Sequence, residues 1–325
     1  MDFRNSSLEI DQAVLICTNF VFFPLGLLVN LFQVFFFARK RYMKTTMGPY
    51  FIAISLNNIV ALSMTAMRFI GLSDFHQIFT KISLWCNIIP FLTRLAFQAC
   101  SWLNFFYTFD RAIFVLYPAI YNKCNHKNLL VCLIFLLTYI ILVLSNLPNL
   151  FYEIKEIDFV LQNETISVCS GSVVVNLVRE MLSQAVGIYV PFLLMLAVNL
   201  CLVWKVMESR RKFKSVKELN FACPLLISNL FFLLFQLPFS VYMIYSIILT
   251  LNPELHISEN FNSFMPTLDT VSRVIACINY SFYLGAQSLL NKTSQKDIKK
   301  LINSGFIKCF GNSQRIFPSS RTTTN

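Results

Sequence analysis

"FDRAIFVLYP", residues 109–118, closes a long apolar run on an acid and a base side by side, Asp110 and Arg111, with Pro118 beyond them. A soluble helix can carry such a pair anywhere on its wet face. Here residues 86–109 are apolar nearly all round, so the pair marks the place where the chain leaves an oily medium. The number of other runs like it decides the fold.

With 56% hydrophobic and 13% charged residues among 325, the chain lies outside the range of ordinary soluble domains. A bilayer core about 30 Å thick takes roughly 20 apolar residues per helical crossing. Seven runs of that kind stand out: residues 13–38, 49–71, 86–109, 129–148, 181–206, 221–250 and 264–290. The seventh is the weakest, because it holds Asp269, Arg273 and several small polar residues. Strands of a membrane barrel would be short and alternating, which these runs are not. The expectation is an all-α membrane protein, a seven-transmembrane helix bundle over residues 13–290. Residues 1–12 form its N-terminus and residues 291–325 its tail.

Basic residues orient the bundle. With the N-terminus outside, the inner loops and tail hold 19 Lys and Arg, and the outer side only Arg4, Lys81 and Lys155. That bias places the N-terminus outside and the tail in the cytoplasm. The net charge of +11 is then a signature of membrane orientation and calls for no nucleic acid. Asn5 and Asn163 head glycosylation sequons on the expected outer face. Cys86 and Cys169 are the two cysteines at or beyond that oxidising face, where they form a disulfide or remain free thiols. Cys309 in the tail is a candidate for palmitoylation. There is no CxxC and no HExxH, and the three histidines are scattered, so neither a metal nor a cofactor is expected.

Arg111 lies 25 residues beyond Cys86, roughly 37 Å along a helix, which puts it at the cytoplasmic mouth. Thr93, Phe97, Cys100 and Asn104 share its face at helical spacing. "DRAIFVLYP" resembles the Asp-Arg-Tyr segment of rhodopsin-like (class A) G-protein-coupled receptors, with Ala112 in place of the tyrosine. Asn30 in "GLLVN", the Cys86 and Cys169 pair, and Pro191 are similar to family landmarks. So are Phe232 and Pro238 in "FFLLFQLPF", and Asn279 and Tyr283 in "NYSFY". Gln236 stands where a tryptophan is usual, Tyr280 where a proline is usual, and Asn58 where an aspartate helps to hold sodium. Arg273 replaces the lysine with which opsins hold retinal, and Thr93 the aspartate of amine receptors.

The resemblance implies a receptor, not an enzyme, at the plasma membrane. Its partners would be an extracellular ligand, a heterotrimeric G protein and arrestin. It also implies a switch, in which Arg111 is held at rest by Asp110 and by Glu218 on the sixth helix and is released when that helix moves. Asn58, Asn279, Tyr283, Phe232 and Pro238 belong to the same machinery. Ligand-binding candidates are Arg68, Thr93, Arg94, Phe97, Gln98, Glu180, Gln236, Asp269 and Arg273. An arginine inside a span costs about 2.5–3.5 kcal/mol unless it meets a cavity or a partner. The outer arginines therefore either bind an acidic group or peptide terminus, or are satisfied internally, with Asp269 and Arg273 pairing at i, i+4. The acidic loop holding Glu153, Glu156, Asp158 and Glu164 favours a peptide over a lipid, with a small-molecule chemosensory ligand as the alternative. A transporter or channel would show repeated halves or broken helices. "NKTSQKDIKKLI", residues 291–302, reads as a short amphipathic eighth helix lying along anionic membrane lipid.

Overall fold

The long hydrophobic stretches fold as helices because nothing else satisfies the backbone in an apolar medium. The computed structural model describes residues 16–70, 83–123, 127–159, 164–213, 216–252, 259–290 and 295–300. Seven long helices are found among them: α1 (Phe23–Phe37, entered through a π turn at Thr18–Phe22), α2 (Met47–Ile70), α3 (Ser83–Leu116) and α4 (Lys127–Asn146). Helix α5 begins as Val173–Gln184, makes a π turn over Ala185–Tyr189 and continues as Val190–Phe213. Helices α6 (Val216–Leu251) and α7 (Glu259–Leu290) complete the set.

Five of these are long and apolar enough to cross a membrane, namely α1, α2, α4, α5 and α6. Helices α3 and α7 fall short because their inward faces are polar. Thr93, Gln98, Ser101, Asn104 and Thr108 are buried on α3, and Ser272, Asn279 and Ser281 on α7. The bundle is inside out relative to a water-soluble protein. Phe20, Phe35 and Trp204 are about three-quarters exposed, at 77%, 74% and 76%, whereas Asn30, Ser55 and Asn58 are at 2% or less. Lipid is the solvent for the first group, and polar pairing holds the second.

Helix α3 is the central post, touching α2, α4, α5 and α6, while α7 closes the ring against α1, α2 and α6. Two glycines let the backbones meet. A Cβ on Gly26 of α1 would run into Ser281 of α7 and Leu62 of α2, and one on Gly187 of α5 would sit 2.5 Å from Gln98 Cγ of α3.

The π turn of α5 follows from Pro191. Val190 donates its N–H to the Ala185 carbonyl, one residue further back than in an α-helix. The Val186 carbonyl has then lost its α partner, and its π partner would be Pro191, which has no N–H. Trp102 of α3 supplies the missing donor, its indole N–H reaching Val186 O at 2.8 Å.

The segment between α4 and α5 was expected as a loop and contains a two-stranded antiparallel hairpin. Strand β1 (Glu153–Phe159) pairs with β2 (Glu164–Ser170), with Ile154 opposite Cys169. Helix ends also run past the apolar runs. Helix α3 continues to Leu116, so Arg111 is a helical residue and not the start of a loop. Helix α5 starts eight residues before residue 181, capped by Ser172, whose side chain accepts from Val175 N.

Candidate functional site

Three polar layers lie along α3. At its C-terminal end, the inner one in the orientation expected from the basic residues, Arg111 Nη2 donates to Asp110 Oδ2 at 2.7 Å and to Thr46 Oγ1. Thr46 Oγ1 in turn donates to Asp110 Oδ2 at 2.9 Å. The Tyr121 hydroxyl reaches the two oxygens of the same carboxylate at 3.2 and 3.4 Å and shares a 2.8 Å hydrogen bond with Thr46. Helical neighbours point about 100° apart, so Asp110 and Arg111 meet only because the arginine is long, with Thr46 bonded to both. The guanidinium also lies within 5.6 Å of the Tyr107 ring centre and 5.8 Å of Phe114. Three segments thus close on a residue that is 7% exposed: the turn before α2, the end of α3, and the short helix Pro118–Lys123. The charge is neutralised on the spot, and freeing it means breaking charge-assisted hydrogen bonds. Glu218 lies on α6, but its side chain is outside the described residues.

The middle layer is a chain of neutral hydrogen bonds. Asn30 Nδ2 donates to the Gly26 carbonyl at 2.8 Å and to the Tyr280 carbonyl of α7 at 3.0 Å. Asn58 Nδ2 donates to Asn30 Oδ1 at 3.1 Å, and the Cys100 thiol to Asn58 Oδ1 at 3.1 Å. Asn57 adds donors to Ala96 O at 2.6 Å and Cys100 Sγ at 3.0 Å, and its own oxygen accepts from Tyr139 of α4 at 3.4 Å. Helices α7, α1, α2, α3 and α4 are tied in sequence by amides, a thiol and a phenol. A sodium ion does not fit this donor set, which offers no carboxylate and has both ends of the Asn58 amide engaged. Phe97 stacks on Tyr280, ring centres 5.3 Å apart and nearly parallel. Both side-chain atoms of buried Asn279 lack a hydrogen-bond partner among the described residues.

The layer toward the N-terminal end of α3, the outer one in the same orientation, carries Arg94, Arg179 and Arg273. Glu180 of α5 is held by Arg94 of α3 in a two-pronged pair, Nη2 to Oε1 at 2.6 Å and Nη1 to Oε2 at 3.3 Å. Arg179 Nη2 binds the same Oε1, and its guanidinium lies 4.5 Å from the ring centre of Tyr152 at the foot of β1. Tyr152 donates to Asn176 Oδ1 at 2.5 Å, so the hairpin is pinned to the start of α5. Two guanidiniums on one carboxylate leave the cluster with one net positive charge. On α7, Arg273 Nη2 approaches Asp269 Oδ1 at 2.8 Å without the alignment of a hydrogen bond. Deeper in, Asn146 Nδ2 donates to Gln98 Oε1 at 2.5 Å and Gln98 Nε2 to Ser183 Oγ at 3.3 Å. The amide atoms of buried Gln184 and Oε1 of buried Gln236 have no partner among the described residues.

A profile of the family described as 7 transmembrane receptor (rhodopsin family) matches residues 29–282. The chain belongs to that family. No curated protein matches it. The rhodopsin-family receptor is therefore a multi-pass membrane protein of the kind that answers an extracellular ligand through G proteins, a receptor family and not an enzyme family. The match also accounts for α3 and α7, whose polar faces keep them from looking like spans by composition alone.

Within the receptor, the residues expected from sequence divide among the three layers. Asp110 and Arg111 meet at the inner end; Asn58 and Asn279 lie in the middle, where Phe97 stacks on Tyr280. Phe232 is buried in the inner aromatic cluster with Tyr107 and Leu103. Arg94 and Glu180 come together, as do Asp269 and Arg273. Thr93 turns back on its own helix, its hydroxyl donating to Ile89 O at 2.7 Å. Pro238 and Gln236 lie on α6, with Gln236 buried. Cys86 is disulfide-bonded. The side chains of Arg68, Cys169 and Tyr283, and residues Asn5, Asn163 and Cys309, are outside the described residues. Sequence reasoning missed Thr46, Tyr121, Arg179 and Tyr152. Arg179 is the one it could have found, as a second arginine beside Glu180.

Proposed function

We propose that the receptor binds an extracellular peptide in the outer half of the bundle and activates a heterotrimeric G protein when α6 moves away from Arg111. The observation that supports the switch most directly is the buried Arg111, neutralised by Asp110 and held by Thr46 at the inner end of α3. A side chain held by one hydroxyl and one carboxylate can trade those hydrogen bonds for others offered by a new partner. Glu218 supplies the bond between α3 and α6 in this reading. Asn279, Tyr283, Phe232 and Pro238 transmit the movement along the inner half, with Asn58 in the amide chain behind them.

For the ligand, Arg94, Arg179 and Glu180 offer a positively charged cluster beneath an acidic hairpin. Phe97, Gln98 and Gln236 lie deeper, and Arg68, Thr93, Asp269 and Arg273 are the further ligand-binding candidates in this reading. A peptide with a basic segment and an acidic terminus would meet both charge patterns. In the same reading the N-terminus is outside and carries a glycan on Asn5, with a second on Asn163. A Cys86–Cys169 disulfide ties β2 to α3, the tail faces the cytoplasm with Cys309 palmitoylated, and arrestin shares the inner face. The receptor resides in the plasma membrane.

Nucleotide exchange by purified heterotrimers tests the switch. Glu218→Ala should raise ligand-independent exchange, and an unchanged basal rate removes Glu218 from the mechanism. Ion flux without any exchange would replace the receptor reading by a channel.

A further inference from the structure

The turn between α1 and α2 and the start of the tail helix, residues 295–300, are separated by some 250 residues and joined by one carboxylate. Asp297 accepts from Arg41 Nη1 at 2.9 and 2.8 Å and from the Tyr42 hydroxyl at 2.8 Å. Ile298 packs against the buried aromatic cluster that holds Phe36 and Phe37. Between them these contacts bring two basic segments side by side. Lys40, Arg41 and Lys44 on one, and Lys296, Lys299 and Lys300 on the other, are all exposed. Arg39 is fixed at the centre, its Nε donating to Phe36 O at 2.9 Å and its guanidinium 4.0 Å from the Phe36 ring centre. Asp297 is the only acid in either segment. The patch therefore carries seven cations against one buried anion, at the end of the bundle where Thr46 holds Arg111.

We propose that this composite patch is a binding site for a phospholipid whose headgroup carries several phosphates, and that Asp297 assembles it by docking the tail helix on the turn after α1. The inference rests on the receptor reading for its placement at the cytoplasmic leaflet, where anionic headgroups attract basic segments. A single run of lysines would read only the surface charge of the leaflet. Two runs held at a fixed spacing favour one polyanion over the same charge spread across several lipids. Asp297 separates the two cases, because it adds negative charge and yet would be required.

The test uses the full-length receptor in an uncharged detergent and follows its thermal unfolding. The probes are short-chain phosphatidylinositol bisphosphate, short-chain phosphatidylserine and free inositol trisphosphate. Saturable stabilisation by the bisphosphate lipid is expected at concentrations at least tenfold below those needed for phosphatidylserine. Lys40→Ala, Lys44→Ala, Lys296→Ala and Lys299→Ala should each weaken half-saturation about fivefold, the effect of one basic residue at a membrane surface, and Lys205→Ala should not. Asp297→Ala should also weaken it, although that variant is more positive. Tighter binding by Asp297→Ala, equal response to phosphatidylserine, or equal stabilisation by the free headgroup would each overturn the proposal. So would no stabilisation at all. The assay contains no G protein, so its failure leaves the receptor reading intact. Failure of nucleotide exchange likewise leaves the lipid measurement standing.

Discussion

Two arginines on α3, Arg94 and Arg111, lie 17 positions apart and face opposite ends of the bundle, and each meets a carboxylate. Arg111 finds its acid on its own helix, one residue away, and the hydroxyls of Thr46 and Tyr121 complete the group. Arg94 finds its acid 86 residues away on another helix and shares it with Arg179. The inner group is neutral and its ion pair lies within α3, so Arg111 can change partners without breaking an ion pair between two helices. The outer group is positively charged and ties α3 to α5 and, through Tyr152, to the hairpin. One is built as a catch, the other as a joint.

The sharpest way to break that contrast is at Glu180. Removing one partner of a fully buried pair costs about 3–5 kcal/mol, an upper bound for this partly buried cluster, and Glu180→Ala leaves two guanidiniums facing each other. A large fall in the unfolding midpoint is expected, with Arg94→Ala milder because Glu180 keeps Arg179. Equal effects would mean that Arg179 is no real partner. At the inner end, Thr46→Val deletes one acceptor of Arg111 and one donor to Asp110. Charge-assisted bonds contribute about 1.5–3 kcal/mol each, enough to raise basal nucleotide exchange by about tenfold if Thr46 favours the resting state. A lowered basal rate would assign Thr46 to the active state instead.

The neutral middle layer separates the two ends. Replacing sodium by choline at constant ionic strength should leave the unfolding midpoint of the wild-type receptor unchanged. Asn58→Asp should introduce a dependence of a few degrees or less, and a sodium effect in the wild type would show that another donor set exists. The smallest effect concerns pH. The Tyr42 hydroxyl, with Arg41, Arg39 and Lys300, holds the Asp297 carboxyl below the usual carboxylate range. A depressed value means that docking contributes stability above about pH 4, where the free carboxylate ionises, and loses it as pH falls through the docked value. Tail protection in hydrogen exchange should fade in that acid window, and Asp297→Asn should flatten the profile.

Much of the fold was legible because a span needs a long apolar run and little else. Helix ends were not, since α3 to Leu116 and α5 from Val173 leave the hydrocarbon while keeping their backbone pattern. The hairpin was missed although "EIKEIDF" and "ETISVCS" hold Ile, Val and Phe, because acids interrupt the apolar alternation that marks a strand. In the site, Asp110 and Arg111 were legible as charges at the end of an apolar run. Thr46 was not, because a threonine carries no mark of the arginine it will meet 65 positions later. For Arg94 the sequence named no acid, and only the packing of α5 on α3 brings Glu180 to it.

The bond from Trp102 to the Val186 carbonyl has an optical consequence. Indole emission responds to its hydrogen bonds and surroundings, and the chain has three tryptophans, of which Trp204 lies on the lipid-facing surface. Trp102 is thus a chromophore built into the contact between α3 and α5, reporting on the π turn without an attached label. Its emission, isolated by replacing Trp85 and Trp204 with phenylalanine, would follow any twist of α5 in real time.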